Sequence, residues 1–101
     1  MYDKIRTNAP NAEVYVLGYP QFYEIGGSCN AGLSDTKRTA INSGADALAA
    51  TISDRASAAG FTFVDVRDDF DGHEICSGDW WLHSVTWPVD ESYHPNAAGQ
   101  Q

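Results

Sequence analysis

Two short apolar runs bracket one long helical pattern, and that order limits what the chain can become. The first run, Val14, Tyr15, Val16 and Leu17, is closed by Gly18 and Pro20. It is continuous rather than alternating, the pattern of a strand buried on both faces in a parallel sheet. A loop from Gln21 to Leu33 follows, containing Gly26, Gly27, Asn30 and Gly32. Ser34 then offers an N-cap, and the spacing predicts a helix from Asp35 to about Ala59 with Gly60 as its stop. Its apolar stripe reads Ile41, Ala45, Leu48, Ile52, Ala56 and Ala59. The second run, "FTFVDV" from Phe61 to Val66, completes a strand, crossover helix, strand order, which is a βαβ unit of right-handed sense. Ahead of it, residues 2 to 9 read as a short helix ended by Pro10.

A two-stranded parallel sheet cannot cover its own faces and edges, so the pattern is that of part of a larger α/β domain. Its 101 residues suit one domain and not two, and 43% hydrophobic with 20% charged residues is a globular composition. From Arg67 to Glu91 no periodicity is visible, and a structureless stretch of about 25 residues in a compact domain is usually functional. Pro95, beside Asn96, reads as the first position of a closing helix.

Charge narrows the partners. A net charge of -8 repels nucleic acid and anionic membranes, and the six basic residues are scattered rather than striped. No window approaches the roughly 18 apolar residues of a membrane span, and no leader-like segment precedes the first helix, which alone points to a soluble cytoplasmic chain. Cys29 and Cys76 complicate that. Both lie in polar, glycine-containing loops, where a disulfide is favoured over a metal pair and two free thiols remain the alternative.

Few patterns carry chemistry. His73, His83 and His94 match no zinc spacing, and the acidic run "RDDFDGHEICSG" holds Arg67 and Gly78 where a calcium loop needs oxygen ligands, so it reads as a turn. No metal or cofactor is expected. Trp80, Trp81 and Trp87 suggest a sugar platform less well than packing of the long loop. The closing "ESYHPNAAGQ" is different: His94 has Glu91 three residues before it and Asn96 two after, a base with a possible orienter. A surface histidine at a helix start is the plain alternative.

Three stretches together, "APNAEVYVLGYPQFY", "FTFVDVRDDFDGHEICSGDWWL" and "ESYHPNAAGQ", resemble the C-terminal part of the SGNH hydrolases, the GDSL-type esterases and lipases, especially their secreted actinobacterial branch. The resemblance covers nearly the whole chain. It implies an α/β fold, a partial flavodoxin-like three-layer α/β/α arrangement, with residues 1–101 as the C-terminal portion of one SGNH domain that lacks its N-terminal part. It further implies a serine esterase acting on ester or lipid substrates without a cofactor, with His94 as the catalytic base and Glu91 in the acid's place. The family block reads Asp-x-x-His, and some relatives orient the histidine with a main-chain carbonyl. Secretion and a Cys29–Cys76 disulfide are likewise implied.

The same resemblance exposes a gap. The family's Gly-Asp-Ser nucleophile block and its oxyanion Gly and Asn lie upstream of the first strand, and none occurs in these 101 residues. The missing N-terminal half is thus the implied partner, and the chain alone is expected to be inactive. A non-catalytic truncated module that assembles through its sheet edge is the alternative.

Overall fold

The computed structural model describes residues 1–27, 29 and 32–101. Asn30, one of the turn formers expected after the first strand, lies outside the described residues. The elements run α1 (Tyr2–Asn8), β1 (Tyr15–Leu17), α2 (Asp35–Ala58), β2 (Thr62–Val64) and a 3-10 turn at Val89–Glu91. No helix is long and apolar enough to cross a membrane among the described residues.

The expected βαβ unit is present. β1 and β2 pair in parallel, with Tyr15 opposite Thr62, Val16 opposite Phe63 and Leu17 opposite Val64. The ladder runs one bond past each end, from Thr62 N–H to Val14 O at 2.9 Å and from Gly18 N–H to Val64 O at 2.9 Å. Gly18 lets the ladder close there without displacing Phe63, since a Cβ would come within 2.7 Å of the tip of that ring. The helix α1 ends as expected before Pro10, and anchors on the start of β2 through Tyr2 edge-on to Phe61 at 5.4 Å and the Arg6 guanidinium 4.7 Å above the same ring.

At its start α2 follows its sequence signals: the Ser34 hydroxyl accepts a bond from Lys37 N–H. At its end Gly60, at φ +74°, turns the chain so that Phe61 N–H bonds Ala56 O at 2.9 Å. Its inward face keeps most of the expected stripe, with Ala45 and Ala56 buried and Ile41, Ile52 and Ala59 half-buried, and departs from it at Leu48. Arg38, Asn42, Ala45, Ala49 and Ala56 are buried, whereas Leu48 is 45% exposed. Beside that stripe, along its first half, the helix also meets loop backbone, and the buried polar side chains of Arg38 and Asn42 serve it there. Asn42 Oδ1 accepts from Phe22 N–H and Tyr23 N–H at 3.1 and 3.0 Å while its Nδ2 donates to Tyr23 O at 2.7 Å. Arg38 donates to the carbonyls of Gly27 and Cys29 at 2.6 and 3.3 Å.

Two further expectations are corrected. Tyr15 and Leu17 are exposed, so β1 does not bury both faces as its continuous run suggested. No helix follows Pro95. That residue forms an isolated antiparallel bridge with Leu82, and residues 97–100 make a single turn that Asn96 caps, its side chain accepting from Ala98 and Gly99 N–H and its carbonyl from Gln100 N–H.

The core lies mostly under the long loop. Tyr23, Phe70, Ile75, Cys76 and Leu82 form its centre, with Trp80 and Trp81 packed against it. The Trp80 indole N–H donates to Ser77 O at 2.8 Å, and Trp81 stands edge-on to Phe70. Cys29 and Cys76 are disulfide-bonded, with their Cα atoms 5.1 Å apart.

Candidate active site

The segment that carries His94 begins and ends at a pinched stem. Leu82 bridges Pro95, His83 N–H donates to His94 O at 2.9 Å, and Tyr93 N–H donates to His83 O at 3.1 Å. Between the two arms the chain runs out through Ser84–Ser92 and back. The stem's outgoing arm is fixed to the core by Leu82, which is fully buried.

The returning arm is fixed by Tyr93, whose φ of +64° places a non-glycine residue in the left-handed region. Such a conformation costs about 1 to 2 kcal/mol for a bulky side chain and persists only where neighbours hold it. Here the Tyr93 hydroxyl is 2.9 Å from the Tyr23 hydroxyl, and its ring meets Phe22 and Tyr23 edge-on at 5.8 and 6.2 Å. Burial, and then the bond to Tyr93, pushes the Tyr23 hydroxyl well above the usual phenol range, so it keeps its proton across physiological pH.

Beyond His94 the chain is held again. Asn96 N–H donates to Trp81 O at 2.9 Å, Asn96 Nδ2 donates to Trp80 O at 2.5 Å, and Asn96 Oδ1 accepts from Ala98 N–H and Gly99 N–H at 3.0 and 3.1 Å. Gly99 passes so close to the Trp81 carbonyl that a Cβ would not fit. His94 therefore sits on a short arm gripped on both sides, which suits a residue that must hold a fixed geometry.

His94 borders two cavities of opposite character. One, of about 590 Å³, is walled by Leu17, Gly18, Tyr19 and Pro20 at the end of β1, by Phe22, Val66, Phe70 and Leu82, and by Tyr93 and His94. The other, of about 400 Å³, is polar and lined by His83, Asp90, Glu91, His94 and Asn96. An exposed imidazole at the junction of an apolar pocket and a polar cleft can exchange protons with a group bound in the former.

Glu91 and His94, the two residues singled out by the sequence, share this arm but not a side-chain bond. The Glu91 carboxylate is exposed and lies 4.0 Å from His83 Nε2, while the Glu91 carbonyl accepts from His94 N–H at 3.2 Å. Among the described residues the His94 ring has no hydrogen-bond partner. Sequence reasoning missed the Tyr23–Tyr93 pair, for which residue type alone gave no signal, and the Gly18–Tyr19–Pro20 wall, which was read only as a strand end. His73 stands elsewhere, stacked on Trp81 at 3.8 Å with Nδ1 3.0 Å from Asp79 O. No three His, Cys, Asp or Glu side chains gather as a metal cage requires among the described residues.

Known proteins share this sequence and fold. The chain is 58% identical over 101 residues to "Lipase 1" of Streptomyces coelicolor and 57% identical over 100 residues to a lipase of Streptomyces rimosus, in each case across 99% of this chain and 37% of the relative. The crystal structure of the extracellular lipase from Streptomyces rimosus superposes with a TM-score of 0.94 over 99% of this chain and 43% of that one. Phospholipase A1 from Streptomyces albidoflavus superposes with a TM-score of 0.91 at 55% identity, over 98% of this chain and 42% of that one. The chain thus spans less than half the length of these relatives and has the fold of a corresponding part of them, a partial α/β fold with an open parallel sheet. The family description GDSL-like Lipase/Acylhydrolase matches residues 1–101, and the chain belongs to that family.

Proposed function

We propose that this chain supplies the general-base histidine and one wall of the acyl pocket of a secreted carboxylic-ester hydrolase. The observation that carries the reading is the position of His94, exposed and gripped on both flanks at the rim of the 590 Å³ apolar cavity. The nucleophilic serine and the oxyanion donors belong, in this reading, to the part of the relatives' length that the chain does not span. The serine Oγ adds to the ester carbonyl carbon as its proton passes to His94, and the intermediate collapses, expelling the alcohol, which takes that proton back. Water repeats the sequence on the acyl-enzyme and releases the acid. The apolar wall from Leu17 to Phe22 receives the acyl chain, and no metal is involved. Release outside the cell is supported by the disulfide and by the relative named as extracellular.

The geometry favours a minor role for the Glu91 carboxylate, which faces His83, over direct orientation of His94. The test is kinetic. In the full-length gene product His94→Ala is expected to lower kcat on a soluble short-chain ester by about a thousandfold or more, because base and nucleophile act as a unit. Glu91→Gln is expected to lower it by less than about tenfold. The 101-residue chain alone is expected to be no faster than free imidazole. Full activity of His94→Ala would overturn the assignment, and a Glu91→Gln loss as deep as that of His94→Ala would return the orienting role to the carboxylate.

A second reading, a non-catalytic module that assembles with copies of itself, is favoured by the exposed Tyr15 and Leu17 on β1. It would be supported if the full-length gene product lacked esterase activity while the chain formed stable oligomers.

A further inference from the structure

The loop between the two arms of the stem ends in a projecting apolar tip. Trp87 is 92% exposed, and Val85 and Val89 beside it are 66% and 56% exposed. These are large side chains in water on one short turn, and neither cavity beside His94 is lined by residues 85–89. The tip is nevertheless held in place. Thr86 N–H donates to Ser92 Oγ at 3.0 Å, and Thr86 Oγ1 donates to Pro88 O at 2.9 Å, so the base of the tip is closed across its own returning arm. In this chain, which spans less than half the length of its relatives, three neighbouring apolar side chains exposed on a fixed loop form a contiguous patch of the kind that marks an interaction surface.

From these observations we infer that the Val85–Val89 tip is a docking element for an electrically neutral lipid surface, seating Trp87 at the interface beside the His94 pocket. The inference rests on the ester-hydrolase reading above. Three features choose this occupant. The tip is a single large aromatic flanked by β-branched aliphatics, and indole, with an apolar body and an N–H that bonds to interfacial oxygens, is the side chain best suited to the boundary between acyl chains and water. Asp90 and Glu91 follow the tip immediately, and the chain carries a net charge of -8, so anionic headgroups are repelled. Finally, the loop is continuous with the stem that carries His94. A tip seated in a lipid surface therefore tethers the His94 arm to that surface through the shared stem.

The full-length gene product, incubated with vesicles of ether-linked phosphatidylcholine that cannot be hydrolysed, tests this by co-sedimentation. The wild-type protein is expected to bind, Trp87→Ala to bind about tenfold more weakly, and a Val85→Ser, Val89→Ser variant to be weakened in the same direction. Vesicles rich in phosphatidylglycerol are expected to bind less. The ratio of turnover on vesicle-borne ester to turnover on a soluble ester is expected to fall by a similar factor in Trp87→Ala. Equal binding of Trp87→Ala and wild type, or preference for the anionic vesicles, would overturn the inference. So would shielding of Trp87 from acrylamide quenching in lipid-free protein, read as the difference from Trp87→Ala, since the tip would then be covered by protein. Wild-type hydrolysis of the soluble ester is measured on the same preparation. Its absence would overturn the ester-hydrolase reading instead, and binding is scored without it.

Discussion

Glu74 is the carboxylate this fold tolerates least easily. It is only 6% exposed, and its Oε2 is buried without a hydrogen-bond partner among the described residues. Burial raises its pKa above the ordinary glutamate value of 4.5, and the carboxylates of Glu24 and Asp71 add to the rise. A raised acid binds its proton more tightly folded than unfolded. Stability attached to Glu74 is therefore highest below the ordinary value and is lost as the pH rises through the folded one. Glu74→Gln keeps the shape and removes the charge, so its gain in Tm over wild type should be larger at pH 8 than at pH 4. Thermal melts at the two values check this, and an equal gain at both would show that the folded carboxyl is not perturbed. Asp65 behaves in the opposite sense: bonds from Arg67 hold its pKa down to about 2, so its contribution is present above the ordinary value and fades as the pH falls toward 2. It is an exposed pair, and its effect is correspondingly small.

On α2 the sequence was a good guide to length and to most of the apolar stripe, but it misplaced Leu48 and gave no sign of the buried Arg38 and Asn42. Ser34 and Gly60 mark its ends because capping is local, a matter of one hydroxyl or one left-handed residue. The inward face is set by what lies opposite, and opposite its first half lie the peptide groups of Phe22, Tyr23, Gly27 and Cys29, which attract Asn42 and Arg38. A hydrophobic count cannot see that demand. The correction has a measurable consequence. Leu48→Ala, on the exposed side, should cost less than about 1 kcal/mol, whereas Ala49→Leu, forced into a buried position, should destabilise by about 1 to 3 kcal/mol. Urea unfolding of both variants decides which side of the helix is packed, and a larger loss for Leu48→Ala would return Leu48 to the buried stripe. The same distinction explains the site. Parallel pairing of β1 with β2 was legible from the βαβ order, and His94 stood out by its neighbours in sequence. The Tyr93 turn and the side-chain cap by Asn96 depend on contacts with Tyr23, Phe22 and Trp80 far along the chain, and residue spacing carries no record of them.

At the scale of the whole molecule the shape is elongated, 47 by 25 by 22 Å, with the apolar core gathered under the long loop rather than between helix and sheet. Such a core is small, and the disulfide compensates. Closing a loop with a sequence separation of 47 is worth about 4 kcal/mol on the chain-entropy view. Reduction should therefore lower the urea midpoint markedly, as fluorescence of the packed tryptophans would register, and an unchanged midpoint would mean that the reduced chain is already constrained. The bond also encloses all of α2 and β2 within its loop. A protease that cut anywhere between residues 30 and 75 would leave both pieces on one covalent frame, β1 on the first and the His94 arm on the second. Damage to the backbone would then be silent on a non-reducing gel and become visible only when the sulfur link is opened.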